Sequence, residues 1–174
     1  MRNLTFIFFL SFNILSSQEV LRIDNSISSI SYSGSHLLHN WDATNENISG
    51  LIEIENNLIS KIGVIAKVKD FKSGNSSLDS NSYRVLDALR IPNIVFRSSE
   101  IVDSLDVTKI SGSISFHGIE KDLNVLLDKS TENNTISLAG KFIINLSDFN
   151  VKRPSLLLQK IDNEIEIQIN LIFN

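Results

Sequence analysis

The feature that most constrains this chain is a period-two alternation of apolar and polar residues that returns again and again along it. The C-terminus gives the clearest instance. Ile161, Ile165, Ile167, Ile169, Leu171 and Phe173 fall on one face, and Glu164, Glu166, Gln168 and Asn170 on the other. Successive side chains of an extended strand point to opposite faces, so this pattern describes a strand with one dry and one wet side. Leu58, Ile62, Val64, Ala66 and Val68 alternate with Lys61, Lys67 and Lys69, and Ile110, Gly112, Ile114 and Phe116 with Ser111, Ser113, Ser115 and His117. Ile136, Leu138, Gly140, Phe142 and Ile144 repeat the arrangement, Ile48 to Ile54 adds a further run, and Ile27 to Tyr32 a weaker one. Turn residues separate the runs: Asn56-Asn57, Gly118 and Asn133-Asn134. Gly112 and Gly140 sit on apolar faces, where a missing side chain permits a sharp bend or leaves room for something else; a bend is the simpler expectation.

One segment has helical spacing. Ser77 to Leu89 places Leu78, Tyr83, Leu86 and Leu89 near a common stripe, with Asp79 able to cap its start. Ile91-Pro92-Asn93 then forbids continuation and returns the chain to a strand through Ile94 and Phe96. Many strands with a single short helix predict an all-β fold, an antiparallel barrel or sandwich with a lid-like or plug-like insert, as one domain over 18–174.

Residues 1–17 are of another kind. Arg2 precedes a largely apolar stretch from Leu4 to Leu15, and Ser16-Ser17 supplies small residues before Gln18. About twelve apolar residues fall short of the roughly 20 that cross a bilayer, so a cleavable signal peptide is the expectation, with a periplasmic or secreted product and no stable membrane anchor in the mature form. The chain holds no cysteine, which removes disulfides, thiolate chemistry and cysteine-linked lipidation. Without Arg2, fifteen basic residues face twenty acidic ones, a net charge of −5. With no basic run, nucleic acid and anionic membrane surfaces are poor partners.

Catalytic signals are sparse. The sequence carries no nucleophile elbow, Gly-rich phosphate loop or dinucleotide fingerprint. His36 and His39 have a spacing that would serve a metal only on a helix, and they lie between strands without a third ligand nearby. His117 precedes Gly118 at a strand end, where a solvated turn accounts for it. Neither a catalytic residue, a metal nor a cofactor is expected.

Four stretches in order resemble the YceI-like family. They are Ser33-Gly34-Ser35-His36-Leu37-Leu38-His39-Asn40-Trp41, with its Leu-His-x-Trp element; Tyr83 to Ser98, a short helix, a proline turn and an x-Phe-x-Ser strand; Ile110 to Val125, two strands about a glycine turn; and Ile144 to Leu158, before the terminal strand. Together they span about Val20 to Phe173. The first is most similar to a short variant of the family. One departure stands out: the family's common Arg-Asp-x-His-Leu segment is replaced here by Ser76-Ser77-Leu78-Asp79-Ser80, so no ligand contact is carried over from it. The resemblance implies a lipocalin-like antiparallel barrel of about eight strands, exported, some members of which enclose a long isoprenoid chain.

A small barrel has an interior either just filled by side chains or just able to hold one ligand. The apolar phases nominate Tyr32, Val64, Val68, Phe96, Ile114, Phe116, Leu138, Phe142, Ile144, Ile167 and Ile169 as its lining, suited to a hydrocarbon-like molecule and not to a sugar or nucleotide. His39 and Trp41 are rim candidates. Lys152 and Arg153 are the one adjacent basic pair of the mature chain and could meet a phosphate at the mouth. The alternative is a solid barrel that serves as an interaction or structural protein. A hydrolase, needing a histidine beside a serine and a carboxylate, ranks last.

Overall fold

The computed structural model describes residues 18–36, 39–156 and 159–174; the expected leader over 1–17 lies outside them. The first five strands are β1 (Gln18–Arg22), β2 (Ser29–His36), β3 (His39–Asn45), β4 (Ile48–Glu55) and β5 (Leu58–Lys67). A 3-10 turn (Val68–Asp70) and the helix α1 (Ser76–Val85) follow. Then come β6 (Asn93–Asp103), β7 (Val107–Phe116), β8 (Ile119–Glu132) and β9 (Thr135–Asn145). After a second 3-10 turn (Leu146–Phe149), the pair β10 (Ser155–Leu156) and β11 (Gln159–Lys160) precedes the last strand, β12 (Glu164–Phe173). Ten strands, against the eight expected, form one sheet in the order β1-β4-β5-β6-β7-β8-β9-β12-β2-β3, and every pairing in it is antiparallel.

The sheet curls into a barrel because its margins meet. At one end Arg22 and Asn174 exchange backbone hydrogen bonds of 3.0 Å, and the Asp24 amide donates to the Ile172 carbonyl at 2.8 Å, tying β1 to the end of β12. On the other margin Thr44 and Lys72 exchange bonds of 3.0 and 2.9 Å, drawing β3 to the chain beyond β5. β8 pairs with β9 only from Asp128 to Glu132. Beyond that point the Leu146–Phe149 turn closes the wall: the Phe149 ring meets Phe116 edge-on with centroids 5.2 Å apart, and Phe149's carbonyl accepts from His117 Nδ1 at 2.9 Å. His117 is therefore bonded to the wall and is not the solvated turn residue expected.

The hairpins follow from turn chemistry. Asn56-Asn57, His117-Gly118 and Asn133-Asn134 all have positive φ at both positions, the conformation of two-residue turns whose twist matches that of the flanking strands. Asparagine and glycine reach it at little cost. The alternating phases hold throughout, with one correction. A register shift between Glu53 and Ile54 leaves Ser60 without a partner in β4, so the inward phase of β5 resets there. Ile59 is buried, and Leu58, expected inside, is 48% exposed. Another shift, opposite Ser111 and Gly112, leaves Ser99 unpaired in β6. A Cβ on Gly112 would lie 2.8 Å from the Phe96 ring, and one on Gly140 would lie 2.7 Å from a Leu127 methyl. At Gly140 a neighbouring side chain fills the space, and at Gly112 the β6 backbone comes closer still, the Arg97 carbonyl oxygen lying 2.3 Å from such a Cβ, so close approach of the paired strand calls for glycine there.

The helix is shorter than its periodicity implied. Asn75, not Asp79, caps it, accepting from the amides of Ser77 and Leu78. The Asp79 carboxylate instead holds the preceding loop through the Ser73 hydroxyl (2.6 Å) and amide (2.9 Å), and these bonds, the hydroxyl's first, keep its pKa below the usual aspartate value. Leu89 lies past the helix end and is 83% exposed.

Candidate functional site

Inside the barrel lies one cavity of about 660 Å³, within the ~300–1,000 Å³ typical of small-molecule sites. One end is shut. Phe173, Leu138, Ile52, Ile136 and Ile54 pack into a continuous core there, and below it a buried ion pair joins Lys129 Nζ to Asp103 Oδ2 at 2.5 Å. Asp103 accepts in addition from the Ile59 amide and the Thr108 hydroxyl, so the pair spans β5, β6, β7 and β8. The opposite end is framed by α1, by His36 of β2 with Asn40 and Trp41 of β3, and by Pro154 and Ser155 at the start of β10.

The walls follow from strand register. Val64 of β5 pairs with Phe96 of β6, and Phe96 with Ile114 of β7. Across the barrel Phe142 of β9 pairs with Ile167 of β12, which pairs in turn with Tyr32 of β2. All six side chains line the cavity, as do Val68, Phe116, Ile144 and Ile169, so ten of the eleven lining residues expected from alternation meet around one space. Leu138 does not line it. Fully buried opposite Leu171, it belongs to the solid end, because the barrel narrows there and the inward phase fills the interior. Burial raises the pKa of the Tyr32 phenol, with a hydrogen bond from Ser82 opposing the shift, and keeps that hydroxyl neutral.

Of the rim candidates, Trp41 lines the cavity. It also packs across Gly34, where a Cβ would come 2.5 Å from the indole; only glycine admits the ring there. The side chain of His39 lies outside the described residues. Lys152 and Arg153 are not on the lining. Lys152 is exposed, and the Arg153 guanidinium turns back to the Ile161 carbonyl at 3.0 Å, a bond that holds the loop before β12. Alternation also missed a whole wall. Leu78, Tyr83, Val85 and Leu86 of α1 and its C-terminal turn cover the cavity, anchored by the Tyr83 hydroxyl, which donates to the carbonyls of Phe71 (2.8 Å) or Lys69 (3.0 Å). The helical stripe was legible, but not the surface it covers. His36, which the sequence offers only as an unpromising metal ligand, is buried and lines the mouth. Its place in the inward phase, two residues beyond Gly34, was the available signal.

The chain matches the YceI-like domain over residues 21–173. Sequence comparison with curated proteins gives no significant match. Among solved structures the fold is similar to that of BcnA from Burkholderia cenocepacia, with a TM-score of 0.78 and 17% identity over 86% of this chain and 98% of that one. A polyisoprenoid binding domain from Saccharophagus degradans, implicated in plant cell wall breakdown, superposes with a TM-score of 0.74 and 10% identity over 88% and 97% of the two chains. The YceI protein of Campylobacter jejuni gives 0.61 and 17% identity over 98% of both. At such identities the superpositions speak for the fold alone. With a domain match running nearly from end to end of the described chain, this protein belongs to the YceI-like family.

Proposed function

We propose that this protein is an exported, non-enzymatic carrier that holds one apolar, lipid-like molecule inside its barrel, an isoprenoid chain being the best fit. The observation that carries the reading is the cavity: a tube of about 660 Å³, shut at one end and walled mostly by Ile, Val, Leu and Phe side chains. Such a wall accepts hydrocarbon and leaves the polar groups of a sugar or nucleotide without partners. The polyisoprenoid binding domain of the same fold lends support from outside the chain. A cavity of this size argues against the solid barrel. Hydrolysis finds little support, because the two histidines with described side chains, His36 and His117, are hydrogen-bonded to backbone carbonyls instead of to a serine and a carboxylate. Burying roughly ten methylenes at ~0.8 kcal/mol each contributes about 8 kcal/mol gross, of which the entropic costs of binding absorb several, so affinities run from weak to about micromolar.

The test is direct. The mature chain, recovered from the envelope or medium with Gln18 near its N-terminus, is extracted with organic solvent and analysed by mass spectrometry, and the emptied protein is titrated with a fluorescent polyprenyl probe. A hydrocarbon-rich ligand and saturable uptake are expected. Ile167→Trp, which fills the middle of the tube, should cut uptake at least tenfold while the far-ultraviolet spectrum stays β-rich. Absence of both ligand and uptake would leave the solid barrel as the explanation.

A further inference from the structure

The net negative charge of the chain is unevenly spread along the barrel. The two connections that frame the mouth, 68–92 between β5 and β6 and 146–163 between β9 and β12, hold seven basic and five acidic residues, a net charge of +2. At the shut end, residues 18–19, 53–61, 103–109 and 128–135 hold three basic and seven acidic residues, a net charge of −4. The acidic side chains at the mouth are all turned to partners within the chain. Asp70 accepts from Asn47 at 2.8 Å, Asp79 from Ser73 at 2.6 Å, Asp87 from Arg90 at 2.6 Å, Asp148 from Asn145 at 3.4 Å, and Asp162 from the Ser35 hydroxyl. Lys69, Lys152 and Lys160 are exposed, and among the described residues no ion pair holds any of them.

The same rim offers an apolar tip. Leu89, in the loop from α1 to β6, is 83% exposed, between buried Ala88 and exposed Arg90. Leu86, one turn earlier, lines the cavity. Ile91 reaches the β7–β8 turn, where a Cβ on Gly118 would lie 3.2 Å from its methyl, so Leu89 stands on the rim itself. A lone exposed leucine is ordinary on any protein; what sets Leu89 apart is its company of cations at the opening of a cavity. At the shut end Leu105 is 88% exposed, but it sits between Asp103 and Asp106, and an anionic surface repels that end.

We propose that the mouth of the barrel docks on an anionic lipid bilayer, with Leu89 entering the headgroup region, the free lysines facing lipid phosphates and the acidic shut end held away. The expectation that an anionic membrane is a poor partner came from the net charge, which hides this division. The purpose of docking rests on the proposed carrier function: a mouth set against the bilayer lets an apolar chain pass between lipid and barrel without crossing water. The contact is weak and reversible, because each basic residue near such a surface raises partitioning only about fivefold.

Vesicle sedimentation of the mature chain tests the docking. Phosphatidylcholine mixed with an equal part of phosphatidylglycerol should hold the protein about tenfold better than phosphatidylcholine alone. Raising salt from ~0.15 to ~1 M, which shortens the screening length from ~8 to ~3 Å, should remove the difference. Lys152→Glu combined with Lys160→Glu should abolish the preference. Leu89→Asn should weaken binding to the mixed vesicles about fivefold or more, and Leu105→Asn should leave it unchanged. Uptake of the fluorescent polyprenyl probe in vesicle-free solution, read on every variant, should match the native protein and shows that each is folded. The docking surface is overturned, with the carrier left standing, by equal binding to both vesicle types or by binding to neither. A preference that survives the double charge reversal, a Leu89→Asn variant that binds as well as the native protein, or a loss with Leu105→Asn overturns it equally. A native protein that takes up no probe yet sediments with the mixed vesicles in the expected pattern removes the carrier and keeps the docking surface.

Discussion

Lys129 and Asp103 show what a single buried pair does at the shut end of the barrel. Their side chains are 6% and 1% exposed, in a region otherwise filled by apolar groups. Two desolvated charges contribute little net stability, but stranding one of them is costly. Lys129→Met should therefore destabilise the fold by about 3–5 kcal/mol, read from the urea midpoint. Adding Asp103→Asn should recover part of the loss, because the amide oxygen still accepts from the Ile59 amide or the Thr108 hydroxyl while no charge is left behind. A double variant as unstable as Lys129→Met would refute that account. Such a pair is legible in the sequence only as residue types, because nothing local announces that Asp103 and Lys129 meet across 26 positions.

At the level of elements, α1 is the part of the wall held most lightly. It has no fully buried residue, and its attachments are the Asn75 cap, the Asp79 bonds to Ser73 and the Tyr83 hydroxyl. Asn75→Ala should cost about 1 kcal/mol. Tyr83→Phe should speed probe exchange severalfold with a smaller effect on equilibrium affinity, measured by stopped-flow fluorescence, since it frees the lid and leaves the apolar lining in place. The Asp79 contribution has a defined pH sense. Its folded pKa lies below the ordinary value of 3.8, so the stabilisation is present above that value and fades as pH falls through the lowered one. Amide exchange in Ser73–Val85 should rise in that acid window in the native protein and not in Asp79→Asn. Strand limits and hairpin turns were readable from alternation and from Asn-Asn and His-Gly steps. The Ser60 register shift was not, because a bulge is fixed by pairing with β4 and not by the sequence of β5 alone.

For the molecule as a whole, the division between a solid end and a hollow one makes a contrast that can be measured. Leu138→Ala, in the filled end, should lose about 2–5 kcal/mol and leave probe affinity within twofold. Ile167→Ala faces space that already exists and creates less new cavity, so it should cost less than half as much while changing affinity more. Chemical denaturation and probe titration of the two variants decide between this division and a uniformly packed interior, which would make their stability losses alike. The same division explains why Leu138 alone departed from the expected lining. Period-two alternation says which side chains point inward, and inward is the same direction whether the interior is full or empty.

The sequence by itself determined the antiparallel β character of this protein, the phase of almost every strand, three tight turns and the chemical nature of the interior, because each of these rests on interactions between residues adjacent or nearly adjacent in the chain. Only the tertiary structure decided that ten strands enclose the space, that Phe173 and Leu138 stop one end, that α1 roofs the other and that His36 lies buried at the mouth. Those outcomes depend on how far apart opposite walls stand and which groups face one another across them, distances set by sheet curvature and register summed over the whole barrel.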